Sequence, residues 1–442
     1  EPVPSIVMLC GVYFGGIYGG SITAILLNTP GTPASAVTAW DGNALARQGK
    51  AGKALDMALI ASFIGGILSA LCCLFFSPII AEYALKFGAA DMFALCFFGL
   101  SVIVSLCSKD LVKGLSMAGV GLVLASIGLD PLGGQERLTF GIRGLTGGID
   151  QIVALIGLFA IGEILFKVLK LDEKSEAITD DVSGYLSFKE LMSCMKTIIV
   201  GSVIGIVIGA IPGTGSVIAS FLSYDTAKRG SKHPEEFGNG SLEGVAASES
   251  SNNAVSGGAL IPMLTLGIPG DTNTAVMLGA LMMQNLTPGP LLFSTHGDLV
   301  YAMIIAALLV NVFMLLQGKV FIKIFANVTK IPMQLLIPIL TVLCLTGTFA
   351  IRNTQFDVRL MLLFGVIAFF ATKYGYPATP MVLAFVLGPI SEEYLRKAIV
   401  LSKGDFTVFF TRPIALVFML LAFFSIFMAL RKNKKFEKLR DD

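Results

Sequence analysis

The run "ALIASFIGGILSALCCLFFSPII", Ala58 to Ile80, contains no charged side chain. An α-helix needs about 20 apolar residues to cross the hydrocarbon core of a bilayer, and this run is long enough. Leu299 to Leu316 and Pro413 to Leu430 read the same way. In hydrocarbon every backbone N–H and C=O must be satisfied within the protein, so such runs fold as helices. Charged residues are only 14% of the 442, against 55% apolar, where a soluble domain carries about 25% charged residues. The chain is expected to be an all-α polytopic membrane protein. Its apolar stretches suggest roughly ten to twelve membrane segments.

Several function classes fall away on composition. A net charge of +2 is too small to argue for a nucleic-acid partner. Seven cysteines lie mostly in apolar stretches with no CxxC pair, and read as small packing residues. The two histidines, His233 and His296, sit in polar connections, which removes a His-based metal or catalytic centre. The GTG at Gly213 to Gly215 lacks the Gly-Lys-Ser/Thr of a phosphate loop, so no nucleotide site is expected. Any transport then draws on an ion gradient, with Na⁺ or H⁺ as coupling ion and no other cofactor.

Three apolar stretches are interrupted at Pro-Gly: "LLNTPGTPASAV" (26–37), "IGAIPGTGSVIAS" (208–220) and "LGIPGDTNTAV" (266–276). Irregular backbone at membrane depth is tolerated only inside protein or beside a watery cavity. Half-helices in transporters point N-terminal amides at anionic substrates and free carbonyls at cations. A plausible N-cap follows each interruption: Thr32 or Ser35, Thr214 or Ser216, and Asp271 or Thr272. Asp271 is the one acid within the three, and an intramembrane carboxylate is functional by default. Its competing role is that of an N-cap. Adjacent Asn252 and Asn253 point to different sides of a helix, so one can serve a site while the other pins a neighbour. Glu249 divides evenly between a structural and a functional role.

An internal repeat relates two of the interruptions. An offset of 239 residues lays Pro30-Gly31 on Pro269-Gly270, Gly19 on Gly258, Ile22 on Ile261 and Ala36-Val37 on Ala275-Val276. The connection after the first copy carries Arg47, Lys50 and Lys53, whereas Asn285 to Asp298 has no Lys or Arg. By the positive-inside rule the two copies enter from opposite sides, as an inverted repeat with discontinuous helices and re-entrant hairpins. The expected division is a first membrane repeat at 1–170, a polar connecting loop at 171–192, a second membrane repeat at 193–430 and a basic cytoplasmic tail at 431–442. A counterpart of the 212 interruption would precede residue 1, so the first repeat is expected to lack its N-terminal part here.

Four pieces carry a family resemblance: "YGGSITAILLNTPGTPASAVTAWDG" (18–42), "IGAIPGTGS" (208–216), "ESSNNAVSGGALIPMLTLGIPGD" (249–271) and "LMMQNLTPGP" (281–290). With them the sequence resembles the large transmembrane permease subunit of the tripartite tricarboxylate transporters. The resemblance implies a multi-pass permease of the bacterial inner membrane with its C-terminus in the cytoplasm. It further implies a small four-helix membrane subunit and a periplasmic substrate-binding protein as partners, delivering carboxylates such as citrate. Where the family pattern reads Glu-Ala-Ala-Asn-Asn-Ala, this chain has Glu249-Ser250-Ser251-Asn252-Asn253-Ala254, with two serines that would widen the polar lining.

The expected substrate site comprises Asn28, Thr29, Pro30, Gly31, Thr32 and Ser35 from the first interruption. Pro212, Gly213, Thr214, Gly215 and Ser216 join from the second, and Pro269, Gly270, Thr272 and Thr274 from the third. Asn252, Asn253, Asp271 and Asn273 offer hard oxygens for cation coupling, with Na⁺ as the candidate ion. On that reading Asp271→Asn weakens cation dependence more than substrate binding. A re-entrant-loop channel is the alternative, but no symmetric ring of filter residues is apparent. An intramembrane enzyme is disfavoured, since neither histidine lies in an expected span and the acids are not paired.

Overall fold

The structure is a computed structural model. It describes residues 2–28, 30–106, 111–130, 133–169, 185–212, 214–328 and 333–441, with side chains for all of these except 2, 102–106, 322–328, 333, 429 and 432–441. The chain begins with α1 (Pro2–Leu27), α2 (Ser35–Arg47), α3 (Ala51–Ala84), α4 (Ala89–Leu106) and α5 (Leu111–Ala125). A two-residue antiparallel ladder, β1 (Gly128–Leu129) with β2 (Glu136–Arg137), precedes α6 (Arg143–Thr146) and α7 (Gln151–Leu155). A π-helical turn at Ile156–Ile161 leads into α8 (Gly162–Val168). The second half runs through α9 (Phe188–Ala210), α10 (Gly215–Gly230), α11 (Leu242–Leu266), α12 (Thr272–Met283), α13 (Pro290–Thr295) and α14 (Gly297–Val328). It ends in α15 (Met333–Arg352), α16 (Gln355–Lys373), α17 (Ala378–Leu401), α18 (Val408–Thr411) and α19 (Pro413–Asp441).

The all-α polytopic expectation holds. Among the described residues seven segments are long and apolar enough to cross a membrane, including Val3–Leu27, Ala51–Ala84, Phe188–Ala210 and Gly297–Phe321. Four shorter apolar helices accompany them. The polar connection expected to reach residue 192 yields to helix sooner, because Ser187 and Glu190 exchange hydrogen bonds as a capping box that starts α9 at Phe188. Residues 171–184 of that connection lie outside the described residues.

The chain forms two compact units, each assembled from both halves of the sequence. The first combines Glu1–Leu85 with Lys174–Ile331, and the second combines Lys86–Glu173 with Pro332–Asp442. In the first unit α11 is the central rod. Every residue from Gly244 to Thr265 is buried, so α11 has no face for lipid and can carry serines, asparagines and a glutamate. It packs against α3 and α9, with α1, α2 and α10 completing its surroundings. Gly201, Gly205 and Gly209 form a one-turn stripe on α9 that lets the α11 backbone approach. A methyl on Gly209 would stand 2.6 Å from the Val255 carbonyl oxygen.

In the second unit α4 packs with α17 and α19, α5 with α17, and α16 against the π turn and α8. Its buried acids are paired with arginine. Asp91 meets Arg412 at 2.6 Å, and Asp357 receives both Nε and Nη2 of Arg352 at 2.8 and 2.6 Å.

The repeat read from the sequence recurs in the local structure. Leu27 ends α1 and its partner Leu266 ends α11. The next residues, Asn28 and Gly267, both take positive φ (52° and 71°). Glycine or asparagine is the residue that a left-handed helix stop favours. The chain then folds back in both copies. A methyl on Gly31 would lie 2.6 Å from the Gly20 Cα, and one on Gly270 would lie 2.7 Å from the Ala259 Cα. Gly20 and Ala259 are themselves related by the same offset. Ser21 lies against Glu249, and Tyr13 against Asp271 at the level of Ala259. As α1 ascends α11 descends, so the two copies are inverted.

Candidate functional site

The first interruption is held by its own helix. Gly31 N–H donates to the Gly20 carbonyl at 3.1 Å. Thr32 and Ser35 then close the turn before α2 reciprocally, Thr32 N–H donating to Ser35 Oγ at 3.2 Å and Ser35 N–H to Thr32 Oγ1 at 3.4 Å, while Ala34 holds the cap position without a side-chain bond. At the far end Asn43 Nδ2 donates to the Ile25 carbonyl at 3.0 Å. The buried Asp41 carboxylate accepts from Gly238, Gly240 and Ser241 N–H at 2.8, 2.9 and 2.9 Å, and from Tyr224 OH at 2.8 Å. The half-helix α2 is thereby locked to α1 and to the turn before α11.

The third interruption has the same plan with a different cap. Asp271 Oδ1 accepts from Thr274 N–H at 2.8 Å, and Asp271 N–H donates to Thr274 Oγ1 at 2.9 Å. Asp271 and Thr274 are the counterparts of Thr32 and Ser35. The other carboxylate oxygen accepts from Tyr13 OH of α1 at 2.8 Å. One half-helix thus starts without charge or side-chain cap and the other on a carboxylate that already complements the positive end of its own dipole.

The second interruption joins the third. A methyl on Gly270 would lie 2.6 Å from the Gly209 carbonyl oxygen, and one on Gly215 would be 4.0 Å from Asp271 Cβ. Of the two expected caps of α10, Ser216 lies inside the helix and Thr214 stands at the cap position. It turns the other way, its hydroxyl donating to the Ile208 carbonyl and, at 2.8 Å, to that of Ile211, so it closes α9. The turn is so tight that Thr214 lies under the last carbonyls of α9, and no side chain caps α10. The first interruption stands apart from this pair along α1. Gly20 and Tyr13 are seven residues apart, about 10 Å of helix rise.

A polar layer adjoins the first interruption. Glu249 Oε1 accepts from Ser21 Oγ of α1 at 2.7 Å and from Thr38 Oγ1 of α2. Glu249 Oε2 accepts from Ser62 Oγ of α3 at 3.0 Å. Asn253 Nδ2 donates to Ser62 Oγ at 2.7 Å, pinning α11 to α3. Asn252 has no such neighbour. Its amide nitrogen and oxygen both lack a hydrogen-bond partner among the described residues, although the side chain is only 1% exposed. It lies one turn beyond Ser248 and Glu249, which touch α1 and α2, and so faces the same side. The repeat lays Tyr13 on Asn252 and Thr32 on Asp271, so Asn252 bears to the first interruption the relation that Tyr13 bears to the third.

The remaining expected residues separate clearly. Ser35, Pro212, Pro269, Gly270, Thr274, Asn252, Asn253 and Asp271 are buried, while Thr32, Thr214, Gly215, Ser216 and Thr272 are partly so. Asn28, Pro30, Gly31 and Asn273 are exposed. Thr29 and Gly213 lie outside the described residues. The residues not anticipated are Tyr13, Ser21, Thr38 and Ser62, hydroxyls on α1, α2 and α3. Their one sequence signal is that a serine or threonine at such a position needs a partner.

Residues 1–383 match the family described as Tripartite tricarboxylate transporter TctA family. The chain belongs to that family. A TctA-family chain is a component of a transporter rather than of an enzyme family, and the tripartite system implies partner subunits. This TctA-family chain is 40% identical over 415 residues to the uncharacterized 52.8 kDa protein of the TAR-I ttuC′ 3′ region of Agrobacterium vitis, covering 94% of this chain and 83% of that one. It is 38% identical over 226 residues to the uncharacterized protein of the TAR-II ttuC′ 3′ region of the same organism, covering 51% of this chain and 93% of that one. No solved structure matches.

Proposed function

We propose that this chain is the permease of a secondary active transporter that imports citrate-like carboxylates across the bacterial inner membrane, driven by a Na⁺ or H⁺ gradient. A periplasmic substrate-binding protein delivers the substrate, and a small four-helix membrane subunit completes the complex. The C-terminus lies in the cytoplasm.

The observation that carries this reading is the buried, unpartnered amide of Asn252 on the side of α11 that faces α1 and α2. A buried amide with neither donor nor acceptor met costs free energy unless a ligand supplies the partner. The α12 start already carries Asp271, so an incoming anion is repelled there. The α2 start carries neither an acid nor a side-chain cap, so its dipole is available to a carboxylate. The substrate carboxylate lies between Asn252 Nδ2 and the Thr32–Ser35 turn.

Saturable uptake by the reconstituted complex, measured over a panel of di- and tricarboxylates, tests the proposal. Asn252→Ala is expected to raise the substrate KM about 10-fold or more, the loss of one hydrogen bond to a charged group. An unchanged KM contradicts the assignment, and single-channel current without saturation would favour a channel.

A further inference from the structure

Glu249 has a second, independent peculiarity, whose coupling consequence rests on the reading of Asn252 as the substrate contact. Its side chain is 0% exposed, and its contacts are the hydroxyls of Ser21, Thr38 and Ser62. Among the described residues no Lys, Arg or His pairs with it. A buried carboxylate without a counter-charge is strongly unfavourable, and hydroxyls supply hydrogen bonds but no charge. One further atom in the cluster is unsatisfied. Asn253 Oδ1 has no partner among the described residues and its residue is 0% exposed. The amide orientation is fixed by its nitrogen, which donates both to Ser62 Oγ at 2.7 Å and to the Glu249 carbonyl at 3.3 Å.

We propose that the Glu249 carboxylate, the hydroxyl oxygens of Ser21, Thr38 and Ser62, and Asn253 Oδ1 form a binding site for a sodium ion. The ion's occupancy licenses an anion at Asn252. A hydroxyl that donates its proton to a carboxylate keeps lone pairs for a cation, so the bonds seen and the coordination proposed are compatible. The donor set is entirely of hard oxygens, which suit an alkali or alkaline-earth ion rather than a soft metal. One carboxylate among otherwise neutral ligands matches a single positive charge. The oxygens come from α1, α2, α3 and α11, so the ion ties the first half-helix pair to the central rod.

The coupling follows from distance. Asn252 lies one turn along α11 from Glu249, about 5 Å of rise. A substrate carboxylate there is repelled by an ionised Glu249 in a poorly screened interior, and the repulsion is cancelled when sodium sits between the hydroxyls. Sodium and substrate then strengthen each other's binding by the same factor.

The test uses the purified full chain with its partner subunits and needs no substrate in its first arm. Thermal unfolding is followed while NaCl replaces choline chloride or KCl at constant ionic strength and pH. The wild-type midpoint is expected to rise with sodium and not with potassium. The shift should vanish in Glu249→Gln and persist in Asp271→Asn and Asn252→Ala. If Glu249→Gln fails to fold, Ser62→Ala removes one ligand and should raise the sodium concentration at half-effect about tenfold. In the second arm, citrate affinity should rise with sodium in the wild type and be independent of it in Glu249→Gln. A sodium shift that survives in Glu249→Gln, or a wild type that responds to pH but not to sodium, overturns the site. A sodium shift lost in Glu249→Gln, together with unchanged uptake in Asn252→Ala, would leave the cation site standing and defeat the substrate assignment.

Discussion

The two compact units treat buried acids in opposite ways. In the second unit Asp91 and Asp357 are 0% and 1% exposed, and each is clasped by an arginine at 2.6 Å. In the first, Glu249, Asp271 and Asp41 are just as buried, yet their partners are hydroxyls and backbone amides. Asp56, 7% exposed, is an exception in the first unit, because it pairs with Lys319 at 2.6 Å. An acid with a permanent counter-charge is a structural fixture. An acid satisfied by neutral donors alone, such as Glu249, leaves room for a charge that comes and goes, and on the proposed reading the first unit is the one that handles ions.

The largest effect should come from breaking a fixture. Arg412→Ala leaves the Asp91 carboxylate buried and unpaired, and is expected to cost about 3 kcal/mol of stability. Thermal unfolding in detergent measures it. A shift as small as that of a surface substitution would show that the pairing in the second unit is not what keeps Asp91 buried.

The next effect probes the repeat. Gly270→Ala forces a methyl against Ala259 and the Gly209 carbonyl, and should cost about 1–3 kcal/mol. Gly31→Ala meets Gly20 Cα and Thr23 Oγ1 and should cost a similar amount. Unequal costs would mean that the two fold-backs, alike in backbone, are not alike in packing.

The smallest effect is expected at Asp271→Asn. Asparagine caps a helix about as well as aspartate, so stability should change by about 0.5 kcal/mol or less. If Glu249 holds the coupling ion, sodium dependence of uptake is also retained. Loss of that dependence would return the coupling role to Asp271, as the sequence first suggested.

What the residues disclosed in advance was what is local. Proline, glycine and a following hydroxyl or acid mark a helix that stops and restarts. Asp271 with Thr274 caps where that chemistry says it should, whereas Thr32 and Ser35 close the turn before α2 and Ala34 holds its cap position. Thr214 obeys the same chemistry in the opposite direction, because a turn short enough to place it under the carbonyls of α9 has no signature of its own. The Glu249 cluster was not legible, since it joins Ser21, Thr38 and Ser62 from three helices by contacts across some 190 to 230 residues. The glycine stripe of α9 could have been found from its four-residue period. The two compact units could not, because each is assembled from segments far apart in the chain.

An experimental structure of the complex with citrate in high sodium tests the central claim most directly. The account predicts a substrate carboxylate on the Asn252 amide beside the Thr32–Ser35 turn, with sodium density among the Glu249, Ser21, Thr38 and Ser62 oxygens. Citrate bound in the second unit, or Asn252 sealed dry against aliphatic side chains with citrate elsewhere, would contradict it.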